Sequence, residues 1–451
     1  MIYYLYNSLL TFLLILASPY FLLRSLIQKR FRQGLFQRMG FFKNLLFEKP
    51  IWIHAASVGE VLCSIPLLKK IKNEFPQLKI VLTTMTSTGN EIARTRLPEA
   101  DRVLFVPIDH PLFIRRTIEK IQPSLLLIAE TELWPNLLRS CGRKGIPIIL
   151  FNGRISQKSF QRYLLLKFFF KEFLKYVSLF LMQTEEDRRR ITEIGGESQK
   201  TRTVGNLKFD QTFPSITQGT MTQVANTLGF HGEEKILIAG STHSGEEEIL
   251  LTLYKEIKKM DPQLALILAP RHLDRLDEVE RILKRESLSW SRKTSFSSGP
   301  GRSDRGRPEV ILLDTMGELM SIYSLGTLVF VGGSLVPVGG HNPLEPLFFK
   351  KCVLFGPYMF NFLDISNRLI ETGGAIQVSG REDLFSQLKR LLLDDGARKE
   401  VGEKGYQFLQ RHQGSTQRLF EEIRPFLSKR RNADCACLPA GREWGMNPKC
   451  F

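Results

Sequence analysis

Short apolar runs alternate with segments of helical periodicity along most of this 451-residue chain, and this alternation constrains the fold more than any other feature. Continuous apolar runs flanked by helices are typical of buried parallel strands. Six runs lie in the first half, at 51–54, 80–84, 103–106, 125–129, 148–151 and 179–182, and five follow, at 236–239, 265–268, 310–313, 328–331 and 353–355. The pattern predicts an α/β protein with two doubly wound, Rossmann-like domains and ligands bound at strand carboxyl ends, in an interdomain cleft.

The interruptions of this pattern suggest the domain boundaries. The alternation is lost over 209–222, which predicts a linker, and a Ser-, Arg- and Gly-rich stretch at 292–308 predicts a surface loop. We therefore assign 1–35 to a membrane anchor with a basic segment after it and 36–215 to the first domain. Residues 216–427 form the second domain, and 428–451 are predicted to be a disordered tail.

The N-terminus is the most apolar part of the chain. Residues 1–23 contain no Lys, Arg, Asp or Glu, and as a helix they would extend roughly 34 Å, enough to cross a hydrocarbon core of ~30 Å. Basic residues follow from Arg24 onward, which by the positive-inside rule predicts that the rest of the chain is cytoplasmic. A cleaved signal peptide would carry its basic residues before the apolar run. Pro19 and Asn7 leave a tilted or interfacial anchor open as the alternative.

The net charge restricts the class of partner. The chain has 63 Lys and Arg against 46 Asp and Glu, a net charge of +17, which favours an anionic lipid or a phosphorylated substrate. No basic run is interleaved with aromatic residues, so nucleic acid is not expected as a partner. The seven histidines are scattered and form no His-x-x-x-His pattern, so the sequence predicts chemistry without a metal or a cofactor.

A glycine-rich loop at 331–346 follows the apolar run 328–331 and contains two Gly-Gly pairs. Asn342 is predicted to be a helix N-cap and Pro343 the first helical residue. Free backbone N–H groups and the positive end of a helix would then form a phosphate site, with Glu345 close enough to bind ribose hydroxyls. The alternative is an ordinary strand-to-helix turn.

Three polar positions follow predicted strands or close the first domain. Glu60 begins a helix and is a candidate general base, which the positive helix end would keep ionised, although Ser57-x-x-Glu60 also fits a capping box. Glu130 comes directly after 125–129, at the mouth of the sheet, and is either functional or a solvated helix-start acid. Lys208 precedes the linker and could neutralise a departing phosphate, or could be an ordinary surface lysine.

Similar loops in the second domain strengthen the prediction of a nucleotide site. Ser241 and Thr242 lie in a small-residue loop that is a second candidate phosphate site. Pro270 and Arg271 end the next strand, and Arg271 suits a phosphate or a pyrimidine ring; Met316, Gly317 and Glu318 could wrap a base through the backbone. Each alone could be a plain turn, but all are predicted at the carboxyl ends of one sheet.

The segment 159–176 mixes four basic residues with many phenylalanines and leucines. It fits either a lipid-facing surface or a core helix of the first domain.

Taken together, the motifs resemble those of the 3-deoxy-D-manno-oct-2-ulosonic acid (Kdo) transferases of Gram-negative bacteria, which are membrane-anchored inverting glycosyltransferases of family 30 with the GT-B fold. The resemblance covers about 1–427 and rests on ten motifs in order: HAASVGE, TTMTSTGNE, ETELWPN, TEEDRRR, VGNLKFD, GSTHSGEEE, PRH, DTMGEL, FVGGSLVPVGGHNPLEP and FGPYMFNF. The cysteine-bearing tail after Ser428 has no counterpart in it.

The resemblance implies roles for the candidate residues. Glu60 matches the base that deprotonates the 6′-hydroxyl of the tetra-acylated, bisphosphorylated lipid A precursor while CMP leaves the Kdo donor, and Glu130 and Lys208 match positions that stabilise the transition state. The CMP-binding segments match Pro270, Arg271, Met316, Gly317, Glu318, Asn342, Pro343, Leu344 and Glu345. The resemblance further implies a CMP-Kdo donor, a lipid A precursor acceptor, contact with inner-membrane lipid and catalytic domains on the cytoplasmic face.

Two other functions remain open at this point. A nucleotide-sugar 2-epimerase or a UDP-sugar transferase would need to bind two phosphates, and a non-catalytic membrane scaffold would only bind nucleotide or lipid. The sequence does not indicate the number of Kdo units added, the acyl-chain preference or the oligomeric state.

Overall fold

Two units make up the computed structural model, which describes residues 2–27, 29–210, 217–232, 234–297 and 307–435. Unit 1 contains the described residues up to Asp210 and from Gln413 onward, and unit 2 contains those from 217 to 412. The predicted linker and the predicted surface loop lie partly outside the described residues. The same holds for the predicted tail, of which only 428–435 is described.

Unit 1 begins with helices α1 (Ile2–Ile27) and α2 (Lys29–Arg38). Its strands are β1 (Ile51–His54), β2 (Ile80–Thr84), β3 (Arg102–Phe105), β4 (Leu125–Ala129), β5 (Ile148–Gly153), β6 (Leu179–Met182) and β7 (Thr201–Thr203). The helices between them are α3 (Val58–Glu74), α4 (Ser87–Arg96), α5 (Pro111–Ile121), α6 (Pro135–Arg143), α7 (Gln157–Leu165), α8 (Lys167–Leu174) and α9 (Glu185–Glu193).

All seven strands of unit 1 are parallel, in the order β3-β2-β1-β4-β5-β6-β7. The residues of β1, β2, β4, β5 and β6 are buried throughout, because helices cover both faces of the sheet. The strand order reverses between β1 and β4. In a doubly wound sheet, this switch point is where ligands bind, beyond the carboxyl ends of the two strands.

Unit 2 repeats this architecture with strands β8 (Ile236–Thr242), β9 (Ala265–Pro270), β10 (Trp290–Arg292), β11 (Val310–Leu312), β12 (Leu328–Val331), β13 (Cys352–Phe355) and β14 (Ile376–Gln377). Its helices are α10 (Gln218–Thr227), α11 (Glu246–Lys258), α12 (Leu276–Arg285), α13 (Leu319–Tyr323), α14 (Leu344–Leu347), α15 (Leu363–Glu371), α16 (Arg381–Leu393) and α17 (Asp395–His412). The sheet is parallel in the order β10-β11-β9-β8-β12-β13-β14, with its switch point between β8 and β12.

The last helix, α18 (Ser415–Cys435), belongs to unit 1 and corrects the sequence-based boundary at 427. The Asp210 carboxylate accepts hydrogen bonds from the backbone N–H groups of Gly414, at 2.7 Å, and of Thr416, which caps the start of the helix. The Phe420 ring packs against Phe75 in the core of unit 1. The helix also continues through 428–435, where the sequence predicted disorder.

The segment 159–176 forms two helices, α7 and α8, rather than one. Phe160, Phe170 and Phe173 are buried in unit 1, whereas Leu165 and Phe168 are exposed. The core interpretation is confirmed for one face of the segment. The other face presents apolar and basic side chains outward, and its contact with lipid stays a prediction.

Candidate active site

Glu60 lies in the first turn of α3, just beyond β1, with 7% of its surface exposed. Its two carboxylate oxygens accept hydrogen bonds from the Ala56 backbone N–H and the Ser57 hydroxyl, both at 2.8 Å. Ser57 is the N-cap and accepts from the Glu60 N–H at 3.3 Å. Half of the predicted capping box is thus present, but the Glu60 carboxylate binds the N–H of Ala56 rather than that of the cap residue.

Burial raises the pKa of Glu60 to about 7, and the negative charge of Glu130 contributes to the rise. The hydrogen bonds from Ala56 and Ser57 act in the opposite direction without cancelling it. The expectation that the helix end keeps Glu60 fully ionised is therefore wrong, because desolvation outweighs the field of the helix. A carboxyl group with a pKa near neutrality can both take up and release a proton under physiological conditions, as a general base requires.

Glu130 follows β4, the strand on the other side of the switch point. Its φ of 52° is in the left-handed region, which is uncommon for a residue with a side chain, and its N–H donates to the Phe151 carbonyl at 2.9 Å. Its charge also contributes to the raised pKa of Glu132, where burial is the larger cause. The backbone thus turns sharply at the end of β4 and keeps Glu130 beside the buried carboxyl groups.

Lys208 lies in a 3-10 turn, Leu207–Asp210, whose position is fixed by hydrogen bonds to asparagine side chains. The Leu207 N–H donates to Asn152 Oδ1 at 3.0 Å, and the Lys208 N–H donates to Asn206 Oδ1 at 2.9 Å. Asn152 is buried at the end of β5. These bonds attach the turn to the carboxyl edge of the sheet.

The charges of the three predicted catalytic residues all act on the buried thiol of Cys63. Burial raises the pKa of this thiol to about 12; Lys208 lowers it, whereas Glu130 and Glu60 raise it further. All three charges therefore act on one atom at the second turn of α3. Glu60, Glu130 and Lys208 therefore all lie in unit 1, near the Cys63 thiol.

If Glu60 is the base, activity will depend on pH in a defined direction. Only the ionised carboxylate can accept a proton, so kcat/KM should fall about tenfold per pH unit below pH 7 and level off above it. The measurement is a pH profile of initial rates between pH 5.5 and 8.5. In Glu60→Gln the residual rate should no longer fall below pH 7. If the fall persists in this variant, the group that titrates is not Glu60.

Glu246 organises the glycine-rich loop of unit 2, a role that the sequence did not predict. Its side chain is 0% exposed and lies at the start of α11. One carboxylate oxygen accepts from the N–H groups of His243, at 3.0 Å, and Gly333, at 2.7 Å; the other accepts from those of Ser334 and Leu335, both at 2.9 Å. The N–H groups expected to bind a phosphate are thus bound to an internal carboxylate.

The rest of the glycine-rich loop is closed by its own backbone. The N–H groups of Gly339 and Gly340 donate to the Gly333 carbonyl at 3.1 and 2.7 Å. At Gly332 an added Cβ would lie 2.5 Å from the Ser241 carbonyl oxygen, so the β8 and β12 loops can approach this closely only with glycine there. The expectation of a loop with free donors is therefore wrong for these positions.

The helix after the loop begins one residue later than predicted. It is α14, of four residues, with Pro343 rather than Asn342 as its N-cap. The Asn342 side chain accepts from the Leu344 N–H at 3.1 Å and donates to Glu345 at 3.2 Å. Burial raises the pKa of Glu345, although Asn342 and the charge of Arg271 act against this.

Three histidines meet at the switch point of unit 2, and sequence reasoning assigned none of them. The Nε2 atoms of His243 and His341 are 2.8 Å apart and the two rings are parallel, while His272 packs edge-on against His243. Burial lowers the pKa of His341 to about 4, and it also lowers that of His243. Both rings are therefore neutral at pH 7, so that one Nε2 donates and the other accepts. The sequence signal that could have identified them is their position. His243 follows β8, His272 follows β9, and His341 lies in the glycine-rich loop.

The remaining predicted nucleotide-binding residues also lie at this edge of unit 2. Pro270 ends β9, and the Arg271 N–H donates to the Thr242 carbonyl at 3.0 Å. Ser241, with a φ of 57°, and the buried Thr242 lie at the end of β8.

Met316 and Gly317 are exposed after β11, next to Glu318, which pairs with Lys293 at 2.7 Å. Burial acts to raise the pKa of Glu318, but the ion pair with Lys293 and the hydrogen bond from Thr315 outweigh it and lower the pKa.

The strands that carry these residues are neighbours in the order β11-β9-β8-β12, so their carboxyl ends form one continuous edge. Within the described residues, no three His, Cys, Asp or Glu side chains are arranged to hold a metal ion. The edge offers an arginine, neutral imidazoles and small-residue loops, which suit a nucleotide with few phosphates.

Comparison with solved structures defines the class of the protein. The fold is similar to that of the UDP-GlcNAc 2-epimerase from Neisseria meningitidis bound to UDP-GlcNAc, with a TM-score of 0.55 and 12% identity over 84% of this chain and 100% of that one. At this identity the likeness shows the fold alone. Two parallel doubly wound sheets, each with polar residues at its switch point, define a GT-B protein.

Sequence comparison then gives the family. The family model described as 3-deoxy-D-manno-octulosonic-acid transferase (kdotransferase) matches residues 33–211. The chain is 36% identical to the 3-deoxy-D-manno-octulosonic acid transferase of Haemophilus influenzae, over 93% of this chain and 98% of that protein. It is 32% identical to that of Rickettsia typhi, over 84% and 79% of the two chains. The chain belongs to the Kdo transferase family of lipopolysaccharide biosynthesis.

Proposed function

We propose that this chain transfers Kdo from CMP-Kdo to the 6′-hydroxyl of the tetra-acyldisaccharide bisphosphate precursor of lipid A, with inversion and without a metal. The observation that carries the proposal is Glu60, a buried carboxyl group with a pKa near 7 beside Glu130 and Lys208. Glu60 takes the proton of the acceptor hydroxyl, and that oxygen forms a bond to the anomeric carbon of Kdo. The bond from this carbon to the phosphate of CMP breaks, and CMP leaves with the electron pair.

Unit 2 supplies the donor-binding residues in this proposal. A CMP-sugar has a single phosphate, which the Arg271 guanidinium can bind while Asn342 and Glu345 bind ribose hydroxyls. Ser241 and Thr242 contribute to phosphate binding at the end of β8. The segment Met316 to Glu318 approaches the cytosine base of CMP. Lys208 and Glu130 stabilise the developing charges at the reacting centre.

Charge and hydrophobicity support the proposed acceptor and location. The net charge of +17 suits an acceptor that carries two phosphates. Among the described residues, one helical stretch, Ile2–Phe21, is long enough and apolar enough to cross a membrane. We place the protein at the inner membrane with both units on the cytoplasmic face.

The reaction products test this proposal. Purified protein incubated with CMP-Kdo and the lipid A precursor should release CMP and give a lipid heavier by one or more Kdo units in mass spectrometry. The same protein should leave UDP-N-acetylglucosamine unchanged. Turnover of the UDP-sugar without CMP release from CMP-Kdo would contradict the proposal and favour an epimerase or a UDP-sugar transferase.

A further inference from the structure

The first three turns of α1 are bound to the body of unit 1. Tyr6 Oη donates to Asp109 Oδ2 at 3.0 Å, and Asn136 Nδ2 donates to Asn7 Oδ1 at 2.7 Å. Asp109 is only 2% exposed and also accepts from two backbone N–H groups at the start of α6. The guanidinium of Arg139 stacks on Tyr3, 4.0 Å from the ring centroid. Thr11 Oγ1 also lies 3.3 Å from His110 Nε2, within hydrogen-bonding distance. These contacts hold residues 3–11 against protein rather than in hydrocarbon.

The rest of α1 is too short to cross a bilayer. Residues 12–27 number sixteen, which at 1.5 Å per residue is about 24 Å, whereas a hydrocarbon core is about 30 Å thick. A helix that spans the membrane would therefore have to give up its hydrogen bonds to Asp109 and Asn136. The buried carboxylate of Asp109 would lose a donor as a result.

The end of α2 is attached to unit 1, as is the start of α1. α2 begins two residues after the last residue of α1, and it leads back into unit 1. The Phe105 N–H donates to Gln37 Oε1 at 3.2 Å, and the Ile108 N–H donates to the Arg38 carbonyl at 2.9 Å. Both ends of the α1–α2 hairpin are thus fixed to one unit, whereas the ends of a spanning helix lie on opposite faces of the membrane.

The exposed surface around this hairpin is apolar and basic. Leu9, Phe12, Leu16 and Leu23 project from α1 without protein neighbours to bury them. Leu165, 81% exposed, and Phe168 extend this surface on α7 and α8, which adjoin α1 because the Phe169 ring lies 5.6 Å from that of Tyr6. Lys167 and Lys171 are exposed on the same helix, and Arg24 of α1 and Arg32 of α2 are exposed as well. Apolar side chains bordered by cations match the interface of an anionic bilayer.

We propose that α1, α2 and the exposed face of α7–α8 form a membrane-surface anchor that inserts into one leaflet only. The occupant of this surface is an anionic lipid bilayer, and the N-terminus stays on the same side of the membrane as unit 1. The sequence left spanning and interfacial anchors open, and the contacts of Tyr6, Asn7 and Gln37 favour the interfacial one. The inference rests on unit 1 alone and does not depend on the reaction catalysed.

Side-specific labelling tests the topology. The full chain, with Cys435, Cys437 and Cys450 replaced by serine, receives either a short hydrophilic N-terminal extension with one cysteine or Arg115→Cys as a reporter of unit 1. A membrane-impermeant maleimide is applied to inverted vesicles, right-side-out vesicles and detergent-permeabilised vesicles, the last giving the total. Both cysteines should react from the same side. Reaction of the N-terminal cysteine only from the side opposite to Arg115→Cys would overturn the proposal.

Vesicle flotation tests the surface itself. Leu165→Ser combined with Phe168→Ser should reduce binding to phosphatidylglycerol-containing vesicles about tenfold, because two apolar side chains no longer enter the interface. Leu393→Ser, at a leucine of unit 2 that is 76% exposed, is the matched control and should bind like the unaltered chain. Equal binding of the double variant and the control would contradict this surface. CMP release with a detergent-dispersed acceptor, measured in parallel, reports separately on the proposed reaction.

Discussion

Replacing Glu60 by glutamine is expected to lower the rate of Kdo transfer by about 10²–10⁴-fold, the usual contribution of a general base. The amide has nearly the same shape and can still accept a hydrogen bond from the Ala56 N–H, so the fold and the midpoint of thermal unfolding should change little. The affinity for CMP should also persist, because the proposed nucleotide-binding residues are in unit 2. The measurements are initial rates of CMP release, thermal unfolding and equilibrium binding of CMP.

Ser57→Ala is the control that separates capping from catalysis. It removes the N-cap of α3 and one hydrogen bond to Glu60 but leaves the carboxylate in place. Stability should fall by about 1 kcal/mol while most of the activity remains. The opposite result, a wild-type rate in Glu60→Gln, would show that Glu60 only caps the helix.

Glu246→Gln is expected to cost unit 2 about 3 kcal/mol of stability, because two of the four backbone N–H donors would then face an amide N–H₂ group. For a unit of roughly 200 residues this lowers the midpoint of thermal unfolding by about 6–12 °C. CMP affinity should fall as well, since the glycine-rich loop loses the group that shapes it. Differential scanning calorimetry and CMP titration measure the two effects.

Glu248→Gln provides the comparison on the same helix. Its side chain is partly exposed and reaches Arg285 only at 3.9 Å, so the substitution should change stability by less than about 0.5 kcal/mol. Similar melting curves for the two variants would mean that the loop keeps its shape without the buried carboxylate.

The sequence predicted the central strands well because buried parallel strands are continuous apolar runs. All eleven predicted runs fall on strands of the two sheets, and the GT-B fold is confirmed. The strands that were missed, β7, β10 and β14, have only two or three residues and lie at sheet edges. An edge strand packs against a single neighbour and needs no long apolar run, so its sequence carries little signal.

The site residues show a similar division. Glu60 and Glu130 could be placed near the same edge of the sheet because each follows a predicted strand, and the loops at the carboxyl ends of parallel strands meet there. Their catalytic roles, and that of Lys208, stay predictions. The role of Glu246 could not be predicted, since its hydrogen bonds to the glycine-rich loop join segments about ninety residues apart and depend on tertiary structure. The pKa of Glu60 likewise depends on burial, which no short motif encodes.

The internal carboxylate in the glycine-rich loop has a consequence for nucleotide exchange. A loop that relied on a bound phosphate for its shape would become ordered at each binding event and disordered at each release, at an entropic cost in every turnover. Here Glu246 occupies the position of such an anion permanently, so the loop is preorganised whether or not a ligand is present. In the proposed reaction, a spent nucleotide can therefore depart, and a fresh donor can arrive, without a refolding step in between.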